Sequence, residues 1–207
     1  MGLTLKVGST IGVAGLAGGG AVLAYSFSGN SKSVRNELEK IGYYVLKDSD
    51  LTEKWQKVFD AYRAKPEGSK KFDTNVADLP TLKKKCKALL DTDFKKETDY
   101  SVIKKWCVKE ETIEAMLTRN EYEKIGASSA SGNNEKWQAK VTALKNDTTS
   151  TNKIITTFNS GSTSEVSQLE TACGNLKMAD TKTHSDDEFE KKFIQARDWC
   201  SIKKNAN

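Results

Sequence analysis

The chain has a single histidine, His184, and its four cysteines include no Cys-x-x-Cys pair. Structural zinc sites are built from clustered Cys and His at short spacings, so no ligand set for zinc is present. A cysteine nucleophile needs a histidine base, and one histidine cannot serve a repeated site. Neither G-x-x-x-x-G-K-[ST] nor G-x-G-x-x-G occurs: after Gly18 and Gly20 the third glycine position is Leu23, and no Gly-Lys follows. That excludes a phosphate-cradling loop. Charge of one sign is not in excess either. The net charge of +5 divides into +1 over residues 1–30, +3 over 31–118 and +1 over 119–207. The densest cluster, Lys83-Lys84-Lys85 with Lys87, reads as a solvated helix face, which speaks against nucleic acid as a partner.

What the chain does have is a sentence written twice. Arg35-Asn36-Glu37-Leu38-Glu39-Lys40-Ile41-Gly42 returns as Arg119-Asn120-Glu121-Tyr122-Glu123-Lys124-Ile125-Gly126, with seven of eight residues identical. Each copy is followed by Glu-Lys-Trp-Gln (53–56 and 135–138), then a cysteine in a leucine-spaced run (Cys86, Cys173), then Trp-Cys (Trp106-Cys107, Trp199-Cys200). The body is therefore read as a tandem duplication. The shared eight residues are expected to be a short helix and its terminating glycine.

Helical periodicity dominates both copies. Residues 34–41 read as a helix, and a second opens at Asp50, which takes the cap role with Glu53 three residues on. Trp55, Val58, Phe59 and Tyr62 make one apolar face, as Trp137, Val141 and Leu144 do later. Asp78-Leu79-Pro80 starts a helix with Leu79, Leu82, Cys86, Leu89 and Leu90 on one stripe. Val166, Leu169, Cys173 and Leu176 restate that stripe. Tyr100, Ile103, Trp106 and Cys107 share a side, as do Phe189, Phe193, Ala196 and Cys200 behind Ser185-Asp186-Asp187-Glu188. Glu111 to Ile125 is expected to be a helix joining the copies. Residues 126–133 form a loop, and the Thr/Ser/Asn-rich stretch 147–164 has no assigned structure.

Four cysteines allow three pairings. A module copied whole, with one cysteine on its penultimate helix and one ending its last, is most simply stapled within itself, as Cys86–Cys107 and Cys173–Cys200. Each staple is worth on the order of 3 kcal/mol by loop-closure entropy. Disulfides form in an oxidising compartment; four buried free thiols are the alternative. The recurring Trp55, Trp137, Trp106 and Trp199 are assigned to core packing rather than to a ligand cage. Asp91 with Asp93, and Asp186 with Asp187 and Glu188, sit where caps and solvation account for them.

The 21 residues Val7–Phe27 carry no charge, and as a helix they would span roughly 31 Å, enough to cross a hydrocarbon core. Gly8-xxx-Gly12 and Gly15-xxx-Gly19 would provide a close packing face in lipid. A cleaved signal peptide ending near Ala24-Tyr25-Ser26 is the rival reading. Lys6 on one side, with Lys32 and Arg35 among acids on the other, does not set the orientation. Export follows from the cysteine reading, which places residues 31–207 outside.

The glycine-rich span, the Ser/Asn tether, the E-K-W-Q helix, the L-x-x-x-C-x-x-L-L helix and the closing K-K-W-C-V or R-D-W-C-S resemble the large paralogous families of uncharacterised membrane-anchored proteins of haemotropic mycoplasmas. That resemblance implies a surface-exposed, antigenically variable protein and carries no activity, cofactor or catalytic residue.

The expected fold class is all-α. An N-terminal transmembrane helix or uncleaved signal anchor occupies 1–27 and a flexible tether 28–33. Two tandem, similar helical-bundle modules follow, over 34–118 and 119–207. The expected function is that of a single-pass cell-membrane protein for host interaction or antigenic display, with no catalytic, cofactor-binding or metal residue. Its expected partners are the membrane, a host-cell surface protein and further copies of itself through helices. The alternative is an exported binding protein for a small molecule or nucleic acid, using the pocket between modules.

Overall fold

The computed structural model describes residues 33–66, 69–72, 75–95, 98–161 and 163–204. The apolar stretch expected to be a transmembrane helix or signal anchor lies outside them, as does the tether before Ser33. Among the described residues no helix is long and apolar enough to cross a membrane.

The chain is mostly helical. Among the described residues eight helices run in the order α1 (Val34–Ile41), α2 (Thr52–Ala64), α3 (Leu79–Leu90), α4 (Ser101–Trp106), α5 (Ile113–Arg119), α6 (Asn133–Asn146), α7 (Glu165–Asn175) and α8 (Phe189–Trp199). Two three-residue strands, β1 (Tyr122–Lys124) and β2 (Ser201–Lys203), pair antiparallel with Tyr122 opposite Lys203. α2 packs on α3 and α4, and α3 also on α1 and α4. α5 packs on α8 and β1, while α6 packs on α7. The predicted stripes face the core: Trp55, Val58, Phe59 and Tyr62 on α2, Leu82, Cys86 and Leu90 on α3 with Leu79 and Leu89 partly buried beside them, Val166, Leu169 and Cys173 on α7, Phe189, Phe193 and Ala196 on α8. All belong to one contiguous hydrophobic cluster that runs through both halves.

Cap chemistry sets the helix starts. Ser33 accepts from Asn36 N, Asp78 from Thr81 N, Thr112 from Ala115 N and Ser164 from Ser167 N. The expected cap at Asp50 is not formed. α2 begins after Leu51, which makes no side-chain cap bond, because the Asp50 carboxylate is occupied elsewhere. It accepts from Tyr44 Oη at 2.7 Å, Lys47 N at 2.8 Å and Lys54 Nζ at 2.7 Å.

A second correction concerns the repeated sentence. In the first copy it is helix α1, closed by Gly42 in the left-handed region at φ 116°. In the second copy the helix stops at Arg119, Glu121 turns left-handed at φ 65°, and Tyr122–Lys124 become β1. The helix expected over Glu111–Ile125 is thus limited to Ile113–Arg119. Backbone pairing explains this. Ser33 bridges Asp93, and Thr112 bridges Lys182; Val34 N donates to Thr92 O, and Ile113 N to Thr181 O. Further on, Leu46 N donates to Cys107 O, and Ile125 N to Cys200 O. The structural counterpart of Val34 is therefore Ile113, although the matched letters set Arg35 against Arg119. The identical residues are out of register with the repeated hydrogen bonds.

Candidate functional site

The cysteines come together within each half. Cys86 bonds Cys107 with Cα atoms 5.3 Å apart, and Cys173 bonds Cys200 at 5.7 Å. All four are buried. The four tryptophans are buried too, and each indole N–H donates to a backbone carbonyl. Trp55 Nε1 reaches Lys47 O at 2.9 Å and Trp137 Nε1 reaches Gly126 O at 2.8 Å. Trp106 Nε1 reaches Lys70 O at 2.7 Å and Trp199 Nε1 reaches Asn152 O at 3.2 Å. With edges satisfied and faces packed, these rings are structural anchors, not a cage.

The polar chemistry gathers instead where the halves meet. His184, in the segment leading to α8, is only 2% exposed and stacks on Trp106 with ring centroids 5.7 Å apart. Its Nε2 lies 3.2 Å from Val108 O. A carbonyl only accepts, so Nε2 carries a proton. Nδ1 lies 3.7 Å from Glu110 Oε2. The imidazole beside it holds the Glu110 carboxyl below the usual carboxylate range, against burial and with help from Lys182. Thr183 N donates to Glu111 O at 3.1 Å, and Glu111 N donates to Thr183 Oγ1 at 3.3 Å. Across the same boundary Lys105 pairs with Asp187, and Lys104 Nζ reaches Glu190 at 2.8 Å. The Asp187 carboxyl is lowered chiefly by Lys105. Arg119 Nη2 and Asn120 Nδ2 of the second sentence both donate to the carbonyl of Gly42, which ends the first, at 2.7 Å and 3.0 Å.

Beside these contacts opens a cleft of about 380 Å³ lined by Tyr43, Lys104, Lys105, Asp187, Phe189 and Glu190 among others. Its volume falls at the low end of ligand sites, which run from about 300 to 1,000 Å³. Lys104 and Lys105 pair across the cleft with Glu190 and Asp187. Burial first and the Glu190 carboxylate second push the Tyr43 phenol well above its usual range, so that hydroxyl is a neutral donor rather than a base. Among the described residues no group of three His, Cys, Asp or Glu side chains could hold a metal ion.

Set against protein-family models, curated proteins and solved structures, this chain matches none. Its function is accordingly a matter of what these surfaces can do chemically. Of the acids noted in the sequence, Asp186 pairs with Lys192 at 2.6 Å, Glu188 with Lys191 at 3.4 Å and Asp91 with Arg35 at 3.7 Å. His184, Thr183 and Tyr43 carry no periodic or spacing signal, and the sequence singled out none of them as a seam residue. Arg119-Asn120 was visible as part of the repeat, but as a helix start and not as a clamp.

Proposed function

We propose that this chain is a membrane-anchored surface protein whose two tandem helical modules serve contact with host cells, antigenic display or both, and do no chemistry. The observation that carries the reading is the pair of buried disulfides, one in each half. Staples of this kind persist in oxidising compartments and are rare in reducing ones. Together with the uncharged run Val7–Phe27, they support residues 31–207 standing outside the membrane on a six-residue tether. The ion pairs across the cleft, Lys104 with Glu190 and Lys105 with Asp187, support the same reading, since they neutralise charges that line it.

Protease shaving of intact cells tests it. Residues 31–207 are expected to be degraded while cytoplasmic markers persist; their survival would sink the proposal. Mass spectrometry of the unreduced protein is expected to find both cysteine pairs closed. The competing reading is an exported small-molecule binder using the 380 Å³ cleft. It requires a ligand-induced rise in melting temperature that is lost on substituting Tyr43.

A further inference from the structure

Aligned on their cysteines, α3 and α7 differ most on their outer faces. Around Cys86 stand Lys83, Lys84, Lys85 and Lys87; the matching positions around Cys173 are Glu170, Thr171, Ala172 and Gly174. α3 contains no acidic residue at all. Leu82, Cys86 and Leu90 face the core, which turns Lys84 and Lys87 outward, and both are exposed. The Lys87 ammonium is 3.8 Å from the Asp48 carboxylate, with both side chains more than half exposed, a weak pair. Lys83 lies over the Trp55 ring at 5.6 Å. Like charges one turn apart destabilise a helix, so helix formation does not account for the outward Lys84 and Lys87.

The position of this face relative to the start of the body suggests what it meets. Ser33 is pinned to Asp93, and Val34 N donates to Thr92 O at 2.9 Å. The chain therefore joins the body immediately beyond the C-terminal end of α3. Residues 28–33 can reach at most about 20 Å when fully extended. If Val7–Phe27 lies in a bilayer, the entry of the chain into the body at Ser33 is confined to that distance from the headgroups, with Lys87 and Lys84 about one and two turns before the C-terminal end of α3. Attraction between a basic segment and anionic lipid acts within a Debye length, about 8 Å at physiological ionic strength. A slight tilt of the body closes the gap.

We propose that the outer face of α3 rests on anionic lipid headgroups of the membrane that anchors the chain, with Lys84 and Lys87 against lipid phosphates. The inference rests on the anchor reading above and fixes which side of the first module faces the bilayer. α7, lacking these lysines, leaves the second module free to point away.

Full-length protein in nanodiscs tests this, with discs of phosphatidylcholine alone compared with discs that also contain phosphatidylglycerol. Lysine acetylation is read residue by residue by mass spectrometry. Lys84 and Lys87 are expected to react about fivefold or more slowly in anionic discs, the factor that about 1 kcal/mol per lysine near the surface implies. Lys136, exposed on α6, should react equally in both. High salt should abolish the difference, and so should the paired substitution Lys84→Glu with Lys87→Glu, read by membrane proximity of a label at Ala88. Equal rates at Lys84 and Lys87 in the two discs overturn the proposal, as does protection in both, which indicates a protein contact. The two readings fail separately: release of the chain by alkaline wash removes the anchor, whereas equal acetylation of a chain that survives the wash removes the lipid contact.

Discussion

At Gly42 the backbone turns left-handed with φ 116°, and a Cβ built there would sit 2.9 Å from Asn120 Nδ2. A side chain would both strain the turn and push away the amide that binds the Gly42 carbonyl. Gly42→Ala is expected to lower stability by about 1–3 kcal/mol, read as a fall in denaturation midpoint. Asp50 provides a second test at this scale. Burial raises its carboxyl, but the bonds from Lys54, Lys47 N and Tyr44 outweigh burial and hold it at about 2. Because the folded pKa lies below the unfolded value of 3.8, this carboxylate's contribution is complete above pH 3.8 and is lost as pH falls through about 2. Denaturant midpoints measured down that range should fall less steeply for Asp50→Asn than for the parent. Equal slopes would show that these bonds are not differential between folded and unfolded states.

Among the elements, the two disulfides close segments with sequence separations of 21 and 27. Replacing either pair by alanine should cost on the order of 3 kcal/mol by the loop-closure argument, measured by guanidinium unfolding. In the parent protein all four sulfurs lie inside the core, so alkylation under reducing conditions should require denaturant. The pairing was legible in the sequence because a module copied with two cysteines is most simply stapled within itself, and the leucine stripes around Cys86 and Cys173 turn both inward. The apolar faces of α2, α3, α7 and α8 were legible for the same reason. The fate of the repeated octet was not. Its second copy meets β2 instead of continuing a helix, since Ser201–Lys203 follow directly from α8 and offer backbone groups to Tyr122–Lys124. Tertiary pairing overrides local propensity at such positions. Letter identity reports descent or chance, while the register of the fold is set by which N–H meets which carbonyl. Nor could the burial of His184 be read, because it depends on Trp106, Val108 and Glu110, which are remote in sequence.

For the whole molecule the question is whether two similar halves behave as one cooperative unit. The hydrophobic cluster is continuous, and the seam adds polar ties that only the folded pair can make. Arg119 is the most concentrated of these. Its guanidinium binds Glu111 through Nε at 3.0 Å and Nη2 at 2.6 Å while Nη2 also reaches Gly42 O at 2.7 Å. The Glu111 side chain is 4% exposed, and its other cation, Lys109 at 3.2 Å, is the more exposed of the two. Truncating one partner of a buried pair leaves a charge poorly compensated and costs about 3–5 kcal/mol when no substitute exists. With Lys109 in reserve, Arg119→Ala should fall below that range. Its larger effect should be on cooperativity, because the clamp ties α5, the counterpart of α1 in the repeated hydrogen bonds, to Gly42 at the end of α1 itself. The parent protein is expected to melt in one transition, with calorimetric and van't Hoff enthalpies equal. In Arg119→Ala the calorimetric value should exceed the van't Hoff value as the halves begin to melt apart. Arg119→Lys keeps the charge but loses the planar fork that holds a carboxylate and a carbonyl at once, so it should fall between the two. A single sharp transition in Arg119→Ala at a merely lower temperature would show that the shared core, and not the clamp on Gly42, couples the halves.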